Sequence, residues 1–468
     1  MAKKAEHLTV EERRAVGKAA RQRLPREAQA EWDPVKRTVQ PLDLLVEQAE
    51  TRVAELVPIR YGRMAASSFA YFRGAALPMA ADLATGGHSG LMVQMCGDAH
   101  LANFGGFASP EREMLFDLND FDETLPGPFE WDVKRLAASL VVAARSRGFD
   151  TAACRQVVMR GLLSYRDAMR AFALMPSLQV WYARLDVPTV LARWSAEAGP
   201  KVVKQFQRAI AKAETKDQMQ ARTKLTRLVD GRLRFVSNPP LLVPVEDLFG
   251  DAEAEAMGRW VDAGIAGYRR TLLGERRRLL ENYQYADLAR KVVGVGSVGT
   301  RCWVALMVGR DNDDTLILQV KEAETSVFER FTAPSDYKNH GQRVVEGQRL
   351  MQAASDLFLG WHRVAVGVDG NPHDYYFRQL WDWKLSANID AMTPEVMRIY
   401  AELCGWTLAR GHARSGDTTA IASYMGGSDV FCRAVADFAA AYADQNEKDH
   451  TALTDAIAAG RVTAWVVE

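Results

Sequence analysis

RKVVGVGSVGTRCWVALMVGRDNDDTLILQVK, residues 290–321, is the stretch whose meaning decides the fold. It opens with a G-x-G-x-x-G pattern at Gly294, Gly296 and Gly299, with Ser297 between the last two. Alone, that pattern has two readings. In a dinucleotide-binding enzyme it opens a helix, and an acidic residue comes about 20 positions later. Asp313 and Asp314 stand near that distance. The residues after the glycines, however, are Thr-Arg-Cys-Trp-Val-Ala-Leu-Met-Val-Gly, a short, β-branched and aromatic run that closes on the polar turn 310–314. That composition predicts a strand over 301–308, not a crossover helix. Strands are expected over 290–294 and 315–320 as well, the last running straight into Lys321. The unit is a glycine-rich hairpin with a lysine on the next strand, and a helix over 341–354 offers Glu346 as its partner.

Almost two hundred residues earlier stands Gly97-Asp98-Ala99-His100-Leu101-Ala102-Asn103, after a short apolar strand at 91–95. A second strand, 114–118, leads into Asn119-Asp120-Phe121-Asp122. Phosphoryl transfer needs such a set: one carboxylate to orient the attacking hydroxyl, and an Asn with a further carboxylate to hold Mg²⁺ against the phosphates. The bland reading is a Gly-Asp turn and a hairpin with solvated acids. Against it, Asp117, Asp120 and Asp122 gather negative charge near one strand end, where mutual repulsion favours a bound cation.

A glycine-rich hairpin with a lysine on the strand after it is how protein kinases grip nucleotide phosphates. Residues 97–103 resemble the catalytic loop of aminoglycoside phosphotransferases and related small-molecule kinases. Asp120-Phe121-Asp122 resembles their metal-binding segment, and Glu130-Trp131-Asp132 the helix start beyond it. RYGRMAASSFAYFRGAA, CGDAHLANFG, FDLNDFDETLPGPFEWDVKRLAASL, VGVGSVGT, LILQVKEA and LARGHARSGD together resemble the bacterial family catalogued as domain of unknown function 2252, over roughly residues 40–450. Two departures from a linear kinase stand out. Cys96 replaces the His that usually precedes the Gly-Asp pair, so His100 or His412 is left to orient the loop. The catalytic loop also precedes the nucleotide-covering hairpin, which implies circular permutation; chain termini that lie close together at the surface permit it.

The resemblance therefore implies an α+β, helix-rich, protein-kinase-like fold of two lobes in circularly permuted order. Residues 1–40 form a charged lead and 41–284 a helical catalytic lobe with a helical insert. Residues 285–380 form a β-rich nucleotide-covering lobe, and the helices of 381–468 complete the large lobe. The implied activity is ATP- and Mg-dependent phosphoryl transfer to a hydroxyl of a small molecule or protein. Asp98 and His100 would be catalytic. Asn103, Asp120 and Asp122 would hold the metal. Gly294, Gly296, Ser297, Gly299, Lys321 and Glu346 would hold the nucleotide. AMP transfer on the same fold, and a non-catalytic nucleotide-binding regulator, stay open.

Composition narrows the rest. Lys plus Arg equals Asp plus Glu at 59 each in 468 residues, so no global charge draws the chain to nucleic acid or an anionic membrane. No apolar run approaches the ~18–20 residues that span a bilayer. The charged first 27 residues lack the apolar stretch of a secretory leader. Five scattered cysteines without a CxxC pair argue against a disulfide framework, and a cytoplasmic setting is expected. Residues 1–36 read as a surface lead, and 42–56 as a helix that Pro58 ends. Arg60, Arg63 and Arg73 are candidates for a substrate phosphate or carboxylate, with structural pairing as the rival. His412 reads as a cap at a helix C-terminus. Trp381 and Trp383 read as packing residues after a strand at 375–380, and 201–234 carries a basic excess. The oligomeric state is not legible.

Overall fold

The computed structural model describes residues 7–215, 218–249, 261, 263–367, 369–380 and 383–466. Trp381, Asp382 and positions 216–217 of the basic run lie outside the described residues. After the glycine stretch the chain enters the strand Cys302–Val308, so the helix that a dinucleotide fingerprint requires is not formed. The strand before the glycines runs over Gln284–Lys291, ending earlier than the expected 290–294. Both belong to a wholly antiparallel sheet in the order 360–364, 373–379, 315–322, 302–308, 284–291 and 242–244.

Thr315–Glu322 is buried on both faces, as a central strand should be. Alternation sends Leu316, Leu318 and Val320 into one apolar cluster with Trp303 and Phe377. Ile317 faces the other way, into a second cluster with Val304 and Leu306. Lys321 therefore shares the face of Ile317 and Gln319. That second cluster also holds Leu233, Phe235 and Leu242, so the β-rich unit draws on residues before 285. There Asp230 and Gly231 both take positive φ, closing the hairpin Thr226–Val229/Arg232–Phe235 with the Asp-Gly chemistry expected at a tight turn.

The largest apolar cluster is helical and is drawn from both ends of the chain. Phe129–Ser146 is buried almost all round, flanked by Thr151–Phe172, Pro394–Ala413 and Val430–Ala458. Gly161 and Gly405 let two of these helices touch backbone to backbone; a Cβ on Gly405 would lie 2.1 Å from the Gly161 carbonyl oxygen. The strands Phe104–Ala108 and Met114–Leu118, which flank the 97–103 and 119–122 loops, lie between Leu385–Ser386 and Leu185–Asp186 in a second sheet. No helix among the described residues is long and apolar enough to cross a membrane.

One N-terminal expectation changes. Pro58 starts a helix, Val57–Ala65, instead of ending one, because the first turn has no use for its missing N–H. The charged lead is a mostly exposed surface helix: Val10–Arg23 starts with a capping box between Thr9 and Glu12 and lays Gly17 against Ala420. Arg21 Nε then donates to the Tyr424 carbonyl at 3.0 Å.

Gly405→Ala should lower unfolding free energy by about 1–3 kcal/mol, because the added methyl overpacks a backbone contact. Gly274→Ala, whose Cβ would meet nothing within 4 Å, should be close to neutral. Denaturant midpoints at unchanged slope measure both.

Candidate active site

The 97–103 loop is built around a glycine whose φ and close contacts exclude a side chain. Gly97 has φ +86°, and a Cβ there would lie 2.3 Å from the Glu123 carbonyl oxygen. The resulting bend directs Asp98 to a pocket also lined by His100, Asn103, Asp120, Asp122 and Gly296. His100 N–H donates to the Asp98 carbonyl at 2.8 Å, and Asn103 Nδ2 donates to the same carbonyl at 2.8 Å. Asn103 thereby keeps its side-chain Oδ1 free of protein donors among the described residues, while its backbone carbonyl accepts from Asn119 N–H at 2.9 Å. From behind, Tyr400 donates to the carbonyls of Leu101 and Phe104, both at 2.9 Å.

Lys321 reaches this loop from the sheet, across 199 positions of sequence, and its ammonium pairs directly with Asp122. Asp120 Oδ2 lies 3.9 Å from the same nitrogen. Tyr376 OH donates to the other Asp122 oxygen at 2.8 Å. Arg343, from the helix His340–Met351, donates to the carbonyls of Thr124 at 2.7 Å and of Asp122 and Glu324 at 2.8 Å. Gly294, Gly296 and Ser297 line the pocket on the sheet side. Gly299 is tucked under Arg52 and accepts from Val53 N–H at 2.8 Å.

Two expectations need correction. Glu346 does not hold Lys321; it pairs with Arg349 at 3.2 Å, one helical turn away. Asp117 turns away from the other acids to pair with Arg410 in the core and to accept from Ala353 N–H at 2.8 Å. The side-chain oxygens on this side of the pocket are those of Asp120, Asp122 and Asn103. No group of three His, Cys, Asp or Glu side chains that could hold a metal ion occurs among the described residues.

Residues 52–456, which carry both loops and the whole sheet from 242 to 379, match the family described as Uncharacterized protein conserved in bacteria (DUF2252). The chain belongs to that family. No curated protein and no solved structure matches it.

Behind the 97–103 loop of this DUF2252 chain lies a buried hydrogen-bond chain that its sequence announces only indirectly. Asp132 accepts from Cys96 N–H at 2.8 Å and Gly97 N–H at 3.0 Å. His412 Nε2 meets Asp132 at 3.1 Å, and His412 Nδ1 meets Tyr165 OH at 2.8 Å. His412 is therefore not a helix cap. It is fully buried and orients the carboxylate that holds the Gly-Asp turn. One turn beyond Asp132, Arg135 donates to Asp98 Oδ1 at 2.9 Å and to the Phe72 carbonyl at 2.7 Å. The legible signal is four charges, Glu130, Asp132, Lys134 and Arg135, opening a helix that is largely apolar beyond them and buried through Ala144.

The electrostatics divide the acids. Burial raises Asp98 above the usual carboxylate range, against the pull of Arg135 and Arg73. His100 is buried, with Nδ1 unpartnered; burial and the same two arginines push it well below its usual value, so it is neutral. Burial and the Asp122 charge raise Asp120. Burial opposes the Asp122 anion, but Lys321 and Tyr376 outweigh it and hold the group low. Burial likewise opposes the Lys321 cation, and Asp120 and Asp122 lift it well above its usual value. Glu123, beside them, is pushed by burial from 4.5 to about 7.

Linkage sets the sign for Glu123: its folded pKa is raised, so its contribution is full below 4.5 and is lost as pH rises through about 7. The melting temperature should fall across that window, and Glu123→Gln should flatten the fall without abolishing it, since Asp98 and Asp120 are raised too. Asp132→Asn, which turns an amide donor toward backbone N–H groups or His412, should cost on the order of 1–3 kcal/mol by chemical denaturation.

Proposed function

We propose that this pocket binds ATP and transfers its terminal phosphoryl group to a hydroxyl of a small molecule or protein, in a protein-kinase-like fold whose parts run in circularly permuted order. The observation that carries this reading is the meeting of Lys321 with Asp120 and Asp122 beside Asp98 and the glycine stretch. In protein kinases the phosphate-gripping lysine sits on the third strand, after a glycine-rich turn. Here Lys321 is on the third of Gln284–Lys291, Cys302–Val308 and Thr315–Glu322, with the glycines between the first two. The same reading makes residues 285–380, with the hairpin before them, the β-rich lobe, and builds the large lobe from both chain ends.

Each side chain then has a task. Asp98 Oδ1 is fixed by Arg135, while Oδ2 meets only His100 Nε2, at 3.5 Å, and is the oxygen placed to accept an acceptor hydroxyl's proton. Its raised pKa makes it a better proton acceptor than an ordinary aspartate. The hydroxyl oxygen bonds to the terminal phosphorus, the bond from that phosphorus to the bridging oxygen breaks, the proton passes to Asp98, and ADP leaves. Lys321 stays charged against the phosphates. Asp120, Asp122 and Asn103 would hold magnesium, which when bound would neutralise phosphate charge.

Mg-ATP at a hundred times its dissociation constant should add ~2.7 kcal/mol of stability to the full chain. Asp98→Asn should bind Mg-ATP almost normally and lose ~10²–10⁴-fold in turnover. Asp120→Asn should lose metal-dependent binding and turnover together. Calorimetry and the intact mass of candidate acceptors read these; a mass gain of AMP would convert the reading to nucleotidyl transfer. Mg-ATP binding with no transfer to any acceptor would leave a regulator, and stabilisation by NAD but not Mg-ATP would end the proposal.

A further inference from the structure

The helices that precede the catalytic loop carry arginines to the glycine side of the pocket, where Arg52, Arg60 and Arg73 all line it. Arg60 is fully buried and Arg52 is 8% exposed. Neither they nor Arg73 forms an ion pair among the described residues. Arg52 donates to the Val298 carbonyl at 2.5 Å. Arg60 donates to Gln48 Oε1 at 2.6 Å and to the carbonyls of Gly74 at 3.3 Å and Leu45 at 3.5 Å. Arg73 makes no hydrogen bond among the described residues, and the Nε atoms of all three are buried without a partner.

Other buried guanidiniums of this chain set the scale: Arg37 lies between Asp82 and Asp449 at 2.6 and 2.7 Å, Arg410 pairs with Asp117, and Arg343 bonds three carbonyls. Arg60 resembles Arg343 in having three acceptors, whereas Arg52 has one carbonyl. Guanidinium does not shed its proton in a protein, so burying one without an anion against it is costly. Glu324 acting on Arg52 and Arg60, and Asp98 acting on Arg73, offset part of that cost across the pocket without closing an ion pair. Burial still pushes the pKa of each arginine downward.

We propose that Arg52, Arg60 and Arg73 form a phosphate subsite on the glycine side of the pocket, in addition to Lys321. Planar guanidinium forks match phosphate oxygens in pairs. The adjoining Gly294–Gly296 backbone gives the approach a close-fitting wall: a Cβ on Gly296 would lie 3.2 Å from the Arg73 carbonyl oxygen. The occupant is the phosphate tail of the nucleotide or a phosphate carried by the acceptor. This deepens the reading above and rests on it only in taking this pocket as the ligand site.

Calorimetry of the full chain with tripolyphosphate, without metal, tests it. Wild type should bind; Arg73→Gln and Arg52→Gln should each weaken binding by about tenfold or more. Arg73→Lys, keeping charge but not the fork, should restore part of it. Denaturant midpoints identify variants that fold, and Glu346→Gln is the neutral control. Failure of wild type to bind tripolyphosphate, or wild-type binding by both folded Gln variants, overturns the subsite. ATP displacing tripolyphosphate assigns the subsite to the nucleotide tail, and simultaneous binding assigns it to a phosphorylated acceptor; both support it. Tripolyphosphate binding without Mg-ATP turnover keeps the subsite and sinks phosphoryl transfer. Undiminished Mg-ATP turnover in a folded Arg73→Gln does the reverse.

Discussion

The ion pair between Lys321 and Asp122 is the contact on which the arrangement of this site depends. Lys321 is only 3% exposed, on a central strand whose every position is buried. An ammonium there is tolerable only with a carboxylate against it; removing either partner strands the other and costs about 3–5 kcal/mol. The sheet is thus committed to the Asp120–Asp122 loop. Tyr376 on the neighbouring strand, and Arg343 reaching the carbonyls of residues 122, 124 and 324, repeat the commitment by other means. Because the two segments are 199 positions apart, the site exists only once the chain has closed on itself.

A second constraint works from the opposite side. The Gly-Asp turn leaves the Cys96 and Gly97 N–H groups pointing into the helical core, where an unpaired donor costs about 1–3 kcal/mol. Asp132 takes both, and His412 and Tyr165 fix Asp132 in turn. These partners come from Phe129–Ser146, Pro394–Ala413 and Thr151–Phe172, three helices that pack together because Gly161 and Gly405 let two of them close up. A small Cys96 is tolerable in this setting. The orienting imidazole arrives from residue 412, beneath the loop, and position 96 is left as a buried thiol against Asp132.

The features that could be read in the sequence divide along physical lines. Strands with β-branched runs, the turn chemistry at 230–231, the Gly-Asp loop and the strand lysine were legible, because each rests on local composition or on one residue's special backbone. Partner choice was not. Glu346 was the expected partner of Lys321 because a helix comes after the strand, yet Asp122 is nearer once the loop folds under the sheet, and Glu346 settles with Arg349. Asp117 and Asp122 looked alike in sequence, but strand alternation and the Arg410 side chain separate their fates. Pro58 misled for a related reason: a proline that breaks a helix interior and one that opens a helix carry the same letter, and only the next turn distinguishes them.

Chain order itself has consequences for the pocket. The helices of residues 41–74 come before the catalytic loop in sequence and pack against the glycine stretch, where Arg63 donates to the Gly294 carbonyl at 2.6 Å and Val53 to the Gly299 carbonyl at 2.8 Å. A glycine-rich turn left open to water would be mobile. This one is tied at both ends by a segment that also supplies pocket cations. Carboxylates line the pocket from both sides: Asp98 and Asp120 from the loops, Glu322 and Glu324 from the end of the central strand. Asp98 acts on Arg73 and Glu324 on Arg52 and Arg60, so the charges partly offset one another across the cavity. None of the three arginines is closed in an ion pair among the described residues, so their forks remain the part of the lining that an anionic group could still satisfy.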